Sequence, residues 1–256
     1  MNKINNEFYN NYGEKWYEAD DDPVALLRAE SLTKTPWIIG KISQYAKLSS
    51  GKQVLDVGCG AGFLCNELAK KGFQVTGIDS SEQSLEVAQA HDTTFTVKYI
   101  LANAYELPFD DDSFDVVTSL DFLEHVEEPA KIIKEISRVL KPQGLFIFHT
   151  FNRNPLAYLI IIKFVEWFVK NTPKNMHVLN LFIKPQELKT YCKDSKIDFL
   201  EVVGIRPVWS SIPIKNFFTG IVPKTLRFKI TNSLMLSYLG IARKDDDFLE
   251  FNSLIT

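Results

Sequence analysis

From residue 53 onward, short apolar runs alternate with stretches in which apolar residues recur every third or fourth position. The runs predict strands at 53–57, 74–78, 97–101, 114–119 and 144–150, and the periodic stretches predict helices at 62–70, 81–90 and 129–139. Alternation of this kind predicts parallel strands with helices on both faces of one sheet. Ser80 or Ser81, ahead of Glu82, is placed to cap the second of these helices, and Pro142-Gln143-Gly144 reads as the turn between a helix ending at Lys141 and the fifth strand. Two further strands are expected near 198–204 and 235–243, seven in all. Ahead of the first strand, residues 24–30 and 36–42 carry a helical period, so residues 1–50 read as a helical lid on a body spanning 51–244.

The alternation breaks at 156–170, an apolar run interrupted by Lys163, Glu166 and Lys170 inside an insertion of about 155–184. It is too short and too charged to span a bilayer, which takes about 20 mostly apolar residues. It fits either a segment lying in the membrane interface or one packed against the sheet or a second copy. Residues 212–229 form a second irregular insertion, basic and aromatic, and 245–256 an acidic, solvated tail.

Composition adds little until it is divided along the chain. With 45% apolar and 24% charged residues, the 256-residue chain is ordinary for a soluble domain. Cys59, Cys65 and Cys192 lack metal-ligand spacing and the N-terminus lacks a signal-peptide core, so a cytoplasmic location is expected. Residues 1–154, however, hold 15 Lys/Arg against 23 Asp/Glu, while 155–244 hold 14 against 5. The basic half is the one with the apolar insertions, which favours peripheral contact with an anionic membrane or an acidic partner. An acidic first half without a recognition motif argues against nucleic acid. Oligomeric state is not legible.

Candidate chemistry begins where the first strand stops, in Asp56-Val57-Gly58-Cys59-Gly60-Ala61-Gly62-Phe63. A dinucleotide turn needs a small residue where Phe63 stands. The D-x-G-x-G-x-G pattern instead resembles motif I of the class I S-adenosylmethionine-dependent methyltransferases, a Rossmann-like fold. That resemblance implies S-adenosylmethionine as cofactor, with Asp56, Gly58, Gly60 and Gly62 around it and Asp79, followed by Ser80, taking the ribose hydroxyls at the tip of the next strand. Asn103-Ala104-Tyr105-Glu106-Leu107-Pro108 resembles the family's D-A-x-x-L-P adenine contact, with Asn103 in place of the acid, and Leu120 falls at a strand tip that usually touches the cofactor. An early arginine that meets the cofactor carboxylate has two candidates here, Arg28 and Lys34.

Asp121, Glu124 and His125 sit at i, i+3 and i+4, so a helical turn would point all three one way. Two carboxylates and an imidazole suit a divalent cation such as Mg²⁺, or else Glu124 and His125 shape the pocket wall. His149, at the end of the fifth strand, is either a proton acceptor or a buried, hydrogen-bonded core residue. The order Leu123-Glu124-His125-Val126, Asn152-Arg153-Asn154, Pro173-Lys174-Asn175-Met176-His177 and Phe182-Ile183-Lys184-Pro185 resembles the ubiquinone-biosynthesis O-methyltransferase family over about 50–190. The resemblance implies methylation of a phenol or quinol hydroxyl on a polyprenylated precursor, with Mg²⁺ on Asp121, Glu124 and His125; without a metal, His125 or His149 is placed to take the phenol proton, with Glu124 as a further catalytic candidate. Asp121 stands where the family carries a longer acid, and the family's Lys-Gly-Thr-His-Asp becomes Lys174-Asn175-Met176-His177-Val178, a polar loop that gains two apolar residues, so the acceptor is the open point. A methyltransferase for another small molecule or lipid, and a non-catalytic module on the same sheet, are the alternatives.

Overall fold

The computed structural model describes residues 4–45 and 51–246; the first three residues, 46–50 at the end of the expected lid, and 247–256 of the expected tail lie outside the described residues. Strands β1 (Gln53–Val57), β2 (Gln74–Asp79), β3 (Lys98–Leu101), β4 (Phe114–Leu120) and β5 (Leu140–Phe151) are all parallel; β1, β2, β4 and β5 are rich in buried residues as a sheet covered on both faces requires, while β3 at the edge buries none fully. β6 (Ile197–Pro207), β7 (Phe228–Thr231) and β8 (Ser237–Lys244) complete one sheet in the order β3-β2-β1-β4-β5-β8-β6-β7, with β8 antiparallel to both β5 and β6. The sheet thus has eight strands where seven were expected. The unexpected strand is β7, which starts at the end of the segment read as irregular and runs two residues past it; a four-residue edge strand carrying Lys229 is too short for its alternation to stand out.

Helix α1 (Pro23–Tyr45) joins the two predicted lid pieces into one helix that runs through Pro36. α2 (Phe63–Lys70), α3 (Glu82–Ala90) and α4 (Pro129–Val139) follow their strands, and α5 (Pro185–Asp194) precedes β6. Ser81 caps α3 by accepting from Ser84 N. The helix predicted at 129–139 is Pro129–Val139 and does not continue to Lys141; the strand begins at once, at Leu140. The predicted turn survives as a bulge: Gln143 has φ +62°, and the β4–β5 register jumps from Phe114↔Leu140 to Val116↔Leu145.

Two apolar clusters sandwich the sheet, one around Leu55, Val117, Phe146, Phe148 and Leu188, the other around Ile38, Ile42, Val54, Leu68 and Ile147. The apolar run after β5 is a single helix in three pieces, Pro155–Ala157, a π-helical stretch Tyr158–Phe164, and Val165–Phe168. Its inner side buries Ala157 and Ile162, while Leu156, Tyr158, Leu159 and Trp167 are exposed on its outer side. Among the described residues no helix is long and apolar enough to cross a membrane. The N-terminal segment is tied to two later stretches of the chain: Val222 N donates to Asp20 O, and Asn171 donates through its backbone to Asp21 O and through its side chain to the Asp21 carboxylate.

Candidate active site

The turn after β1 needs its glycines for two separate reasons. Gly58, Gly60 and Gly62 have φ of +75°, +50° and +76°, where a side chain is strained. A Cβ on Gly58 would also collide with the Phe122 ring, and one on Gly62 with the Tyr99 hydroxyl. The turn is anchored to the neighbouring strand, because Gly58 N and Cys59 N both donate to Ile78 O at 2.9 Å and Gly60 N donates to Asp79 Oδ2 at 2.9 Å. Asp79 Oδ1 accepts from Ser81 N, and burial raises its pKa against the pull of these backbone donors.

A cavity of about 300 Å³ opens at this point. Asp56, Gly58, Gly60, Asp79, Ser80 and Leu120 line it, and so do Lys34, Asp121 and His125. A glycine backbone and a strand-tip carboxylate facing one cavity fit an adenosyl cofactor. Gly62 instead starts α2 in a left-handed conformation, outside the lining. Asp56 has both oxygens committed, Oδ1 to Thr118 Oγ1 (2.6 Å) and Oδ2 to Cys65 Sγ (3.3 Å), and burial pushes its pKa up to about 6. Asn103 is exposed and accepts from Tyr105 N, and neither it nor Ala104 lines the cavity. Arg28 is also turned elsewhere, donating to the carbonyls of Trp16 and Ala19 within the lid. Of the two cationic candidates, Lys34 alone reaches the cavity.

Leu120 and His149 are register partners at the tips of β4 and β5, which brings Asp121 beside His149. Asp121 has φ +52° and donates from its N to His149 O at 3.1 Å, a strained backbone held by the sheet. Its Oδ1 is 2.6 Å from His149 Nδ1 and its Oδ2 accepts from Lys34 Nζ, which also donates to Glu30 Oε2 at 3.3 Å. Burial by itself would raise the Asp121 pKa, but Lys34 and His149 outweigh it and hold the group well below the usual carboxylate range. Burial likewise opposes the Lys34 charge, yet Asp121 and Glu30 carry its pKa above the ordinary value.

The expected metal set does not converge. The turn after Asp121 is a 3₁₀ turn, Leu123–His125, which leaves Asp121 outside it, so the i, i+3, i+4 spacing does not stack the three side chains. Successive side chains along β5 then face opposite sides of the sheet, Asp121 pairing with His149 and Glu124 Oε2 accepting from Thr150 Oγ1 at 2.8 Å. Glu124 is fully buried with Oε1 unpartnered, and burial, reinforced by the Asp121 charge, moves its pKa upward, toward the neutral acid. Neither Glu124 nor His149 lines the cavity; His125 does. Among the described residues, the group of three acid or imidazole ligands that does converge is Glu30, Asp121 and His149, with ligand atoms within 4.8 Å of one another and Lys34 Nζ already against them.

His125 is oriented from the lid. Asn6 Nδ2 donates to His125 O at 2.9 Å, which fixes the amide so that Asn6 Oδ1 lies 3.2 Å from Nδ1. On this network Nδ1 carries the hydrogen and Nε2 the lone pair. Burial lowers the His125 pKa to about 4, and that of its ring neighbour His177 to about 3. Asn6 and Glu30 were missed in the sequence, and His177 was read there only as part of a family motif, with no role at the site. Glu30 had a signal, its i,i+4 spacing to Lys34, whereas Asn6 lies in an unpatterned polar stretch.

The comparisons with known proteins agree with this geometry. A methyltransferase-domain family model matches residues 55–148, and that of protein-L-isoaspartate(D-aspartate) O-methyltransferase matches 1–100. The ubiquinone biosynthesis O-methyltransferase of Pseudomonas putida is 38% identical over 197 residues, covering 75% of this chain and 81% of its own length. That of Pseudomonas entomophila is 34% identical over 231 residues, covering 88% and 90%. In fold, the chain resembles an S-adenosylmethionine-dependent methyltransferase from Methanosarcina mazei (TM-score 0.57, 24% identity, 80% and 97% covered). It also resembles magnesium protoporphyrin IX methyltransferase from Synechocystis, solved with S-adenosylhomocysteine (TM-score 0.58, 19% identity, 83% and 82% covered). The chain is therefore an S-adenosylmethionine-dependent methyltransferase and belongs to the ubiquinone biosynthesis O-methyltransferase family.

Proposed function

We propose that this enzyme methylates a phenolic hydroxyl on a quinone precursor with a long apolar tail. The observation that carries the reading is the composition of one cavity. Besides the glycine turn, Asp79 and His125, it is lined by Ile160, Ile161, Phe164, Trp209, Ile212 and Phe228. A polar reaction centre opening into an aliphatic and aromatic wall matches an amphipathic acceptor with a phenol at one end. The names of its relatives point to the same substrate class.

Bound S-adenosylmethionine supplies an already activated methyl group on a sulfonium. The chain's own task is to place and deprotonate the acceptor oxygen. Gly58, Gly60 and Asp79 hold the cofactor, with Ser80 and Leu120 beside them. His125 stays neutral at pH 7 and presents Nε2 to take the phenol proton. Glu124, Asp121 and His149 position the strand tips around it. The lid and the insertion after β5 form distinct units of the chain that close over this body, and the basic, apolar insertion rests on anionic lipid, where a greasy substrate is delivered.

Purified protein supplied with S-adenosylmethionine and a short-tailed demethylated quinol is expected to release S-adenosylhomocysteine and a product heavier by one methyl. Absence of release with every catechol and phenol tested, or absence of cofactor binding by calorimetry, sinks the reading.

A further inference from the structure

We propose that the ammonium of Lys34, held by Glu30 and Asp121 beside His149, is the resident cation of this active site and takes over, at Asp121, the role that the resemblance would give to a divalent ion. The inference rests on the reading of the site as a phenol methyltransferase, and it concerns what stabilises the acceptor oxygen.

Geometry carries it. Glu30, Asp121 and His149 form a converging donor set of the kind that holds a metal. Lys34 Nζ touches all of it: Asp121 Oδ2, Glu30 Oε2 at 3.3 Å and His149 Nδ1 at 3.5 Å. The side chain is 1% exposed, so it is built into the site. Glu124, the remaining carboxyl of the expected metal set, is turned to Thr150 across the sheet.

An ammonium has three N–H donors. Two go to Asp121 and Glu30. His149 Nδ1 sits 2.6 Å from Asp121 Oδ1, where it donates, so it does not accept from Lys34. The third N–H is left over, and Lys34 lines the same cavity as His125. The ammonium's charge is matched by its two carboxylates, but its spare N–H is a donor that bonds the anionic form of a phenol oxygen more strongly than the neutral form, and so helps a base as weak as His125 take its proton. Lys34 forms and breaks no covalent bond in this role.

Mn²⁺ alone, titrated into the full-length wild type and into Lys34→Ala and followed by electron paramagnetic resonance, tests the assignment. Wild type is expected to show no specific Mn²⁺ site and to keep its turnover after exhaustive chelation. Lys34→Ala exposes Glu30, Asp121 and His149 to one another, so it is expected to gain a Mn²⁺ site bound at least roughly 10-fold more tightly than anything on wild type. Without added metal it is expected to lose roughly 100-fold in kcat. A specific Mn²⁺ site on wild type with turnover abolished by chelation overturns the proposal, as does full turnover of Lys34→Ala. If Lys34→Ala does not fold, chelated wild type and Lys34→Arg, which keeps the charge, decide it: metal-free turnover in both supports the assignment, and a metal requirement in either overturns it. Failure of the functional reading is separable, because it removes S-adenosylhomocysteine release from wild type while the Mn²⁺ titrations still report on Lys34.

Discussion

Single atoms decide what His125 can do. The amide of Asn6 is oriented by its own donation to the His125 carbonyl, so its oxygen selects the tautomer that leaves Nε2 unprotonated. Asn6→Ala is expected to lower kcat roughly 10-fold, the worth of one hydrogen bond of about 1.4 kcal/mol, with cofactor affinity by calorimetry unchanged; equal loss of both would mean that Asn6 merely supports the fold. The ring's pKa, lowered from 6.5 to about 4 by burial, has a stability consequence with a definite sign. As pH falls below about 6.5 the unfolded chain takes up this proton while the folded chain does not, so the contribution is intact above 6.5, declines toward 4 and levels off below. Nuclear magnetic resonance titration of the His125 ring is expected to show a midpoint near 4, and a midpoint near 6.5 would refute the buried environment. Gly58→Ala places a methyl against Phe122 at φ +75° and is expected to cost about 1–3 kcal/mol of stability, read by urea denaturation, and to abolish cofactor binding.

Elements bring these residues together by register. Parallel pairing of β4 with β5 sets Leu120 opposite His149, and the pleat then sends His149 toward Asp121 and Thr150 toward Glu124. The lid is held to the insertion after β5 through Asn171 and Asp21. Asn171→Ala removes the side-chain half of that tie. Faster limited proteolysis within residues 4–22 is expected, with the rest of the digestion pattern unchanged; an unaltered cleavage rate would show that this tie does not hold the N-terminal segment. On the outer side of the insertion, Trp167 is 64% exposed beside Leu159 and Lys163. Trp167→Glu is expected to reduce co-sedimentation with anionic liposomes without shifting Tm. Equal pelleting would remove membrane contact from the proposed function.

At the scale of the whole molecule, the lid, the strand tips and both insertions share one cavity, so a ligand bound there links parts far apart in the chain. S-adenosylmethionine at about 100 times its Kd is expected to stabilise the native state by about 2.7 kcal/mol, which raises Tm by roughly 5–10 °C for a chain of this size. No shift in a thermal melt would exclude tight binding. The strand–helix alternation, the glycine turn with Asp79 and the apolar insertion were legible along the chain because each depends on local periodicity or backbone conformation. Those signals sufficed for the fold class and the cofactor, and the ordered motifs from Leu123 to Pro185 for the family. The eighth strand, the divergence of Glu124 from Asp121, the departure of Arg28 and Asn103 from the cavity, and the meeting of Asn6 with His125 and of Lys34 with Asp121 were not legible. The strand was too short to show a period, Arg28 and Asn103 are taken up by backbone partners nearby in the chain, and the rest depend on which side of a strand a residue faces or on pairings across roughly 90 to 120 positions, which only the packed structure decides.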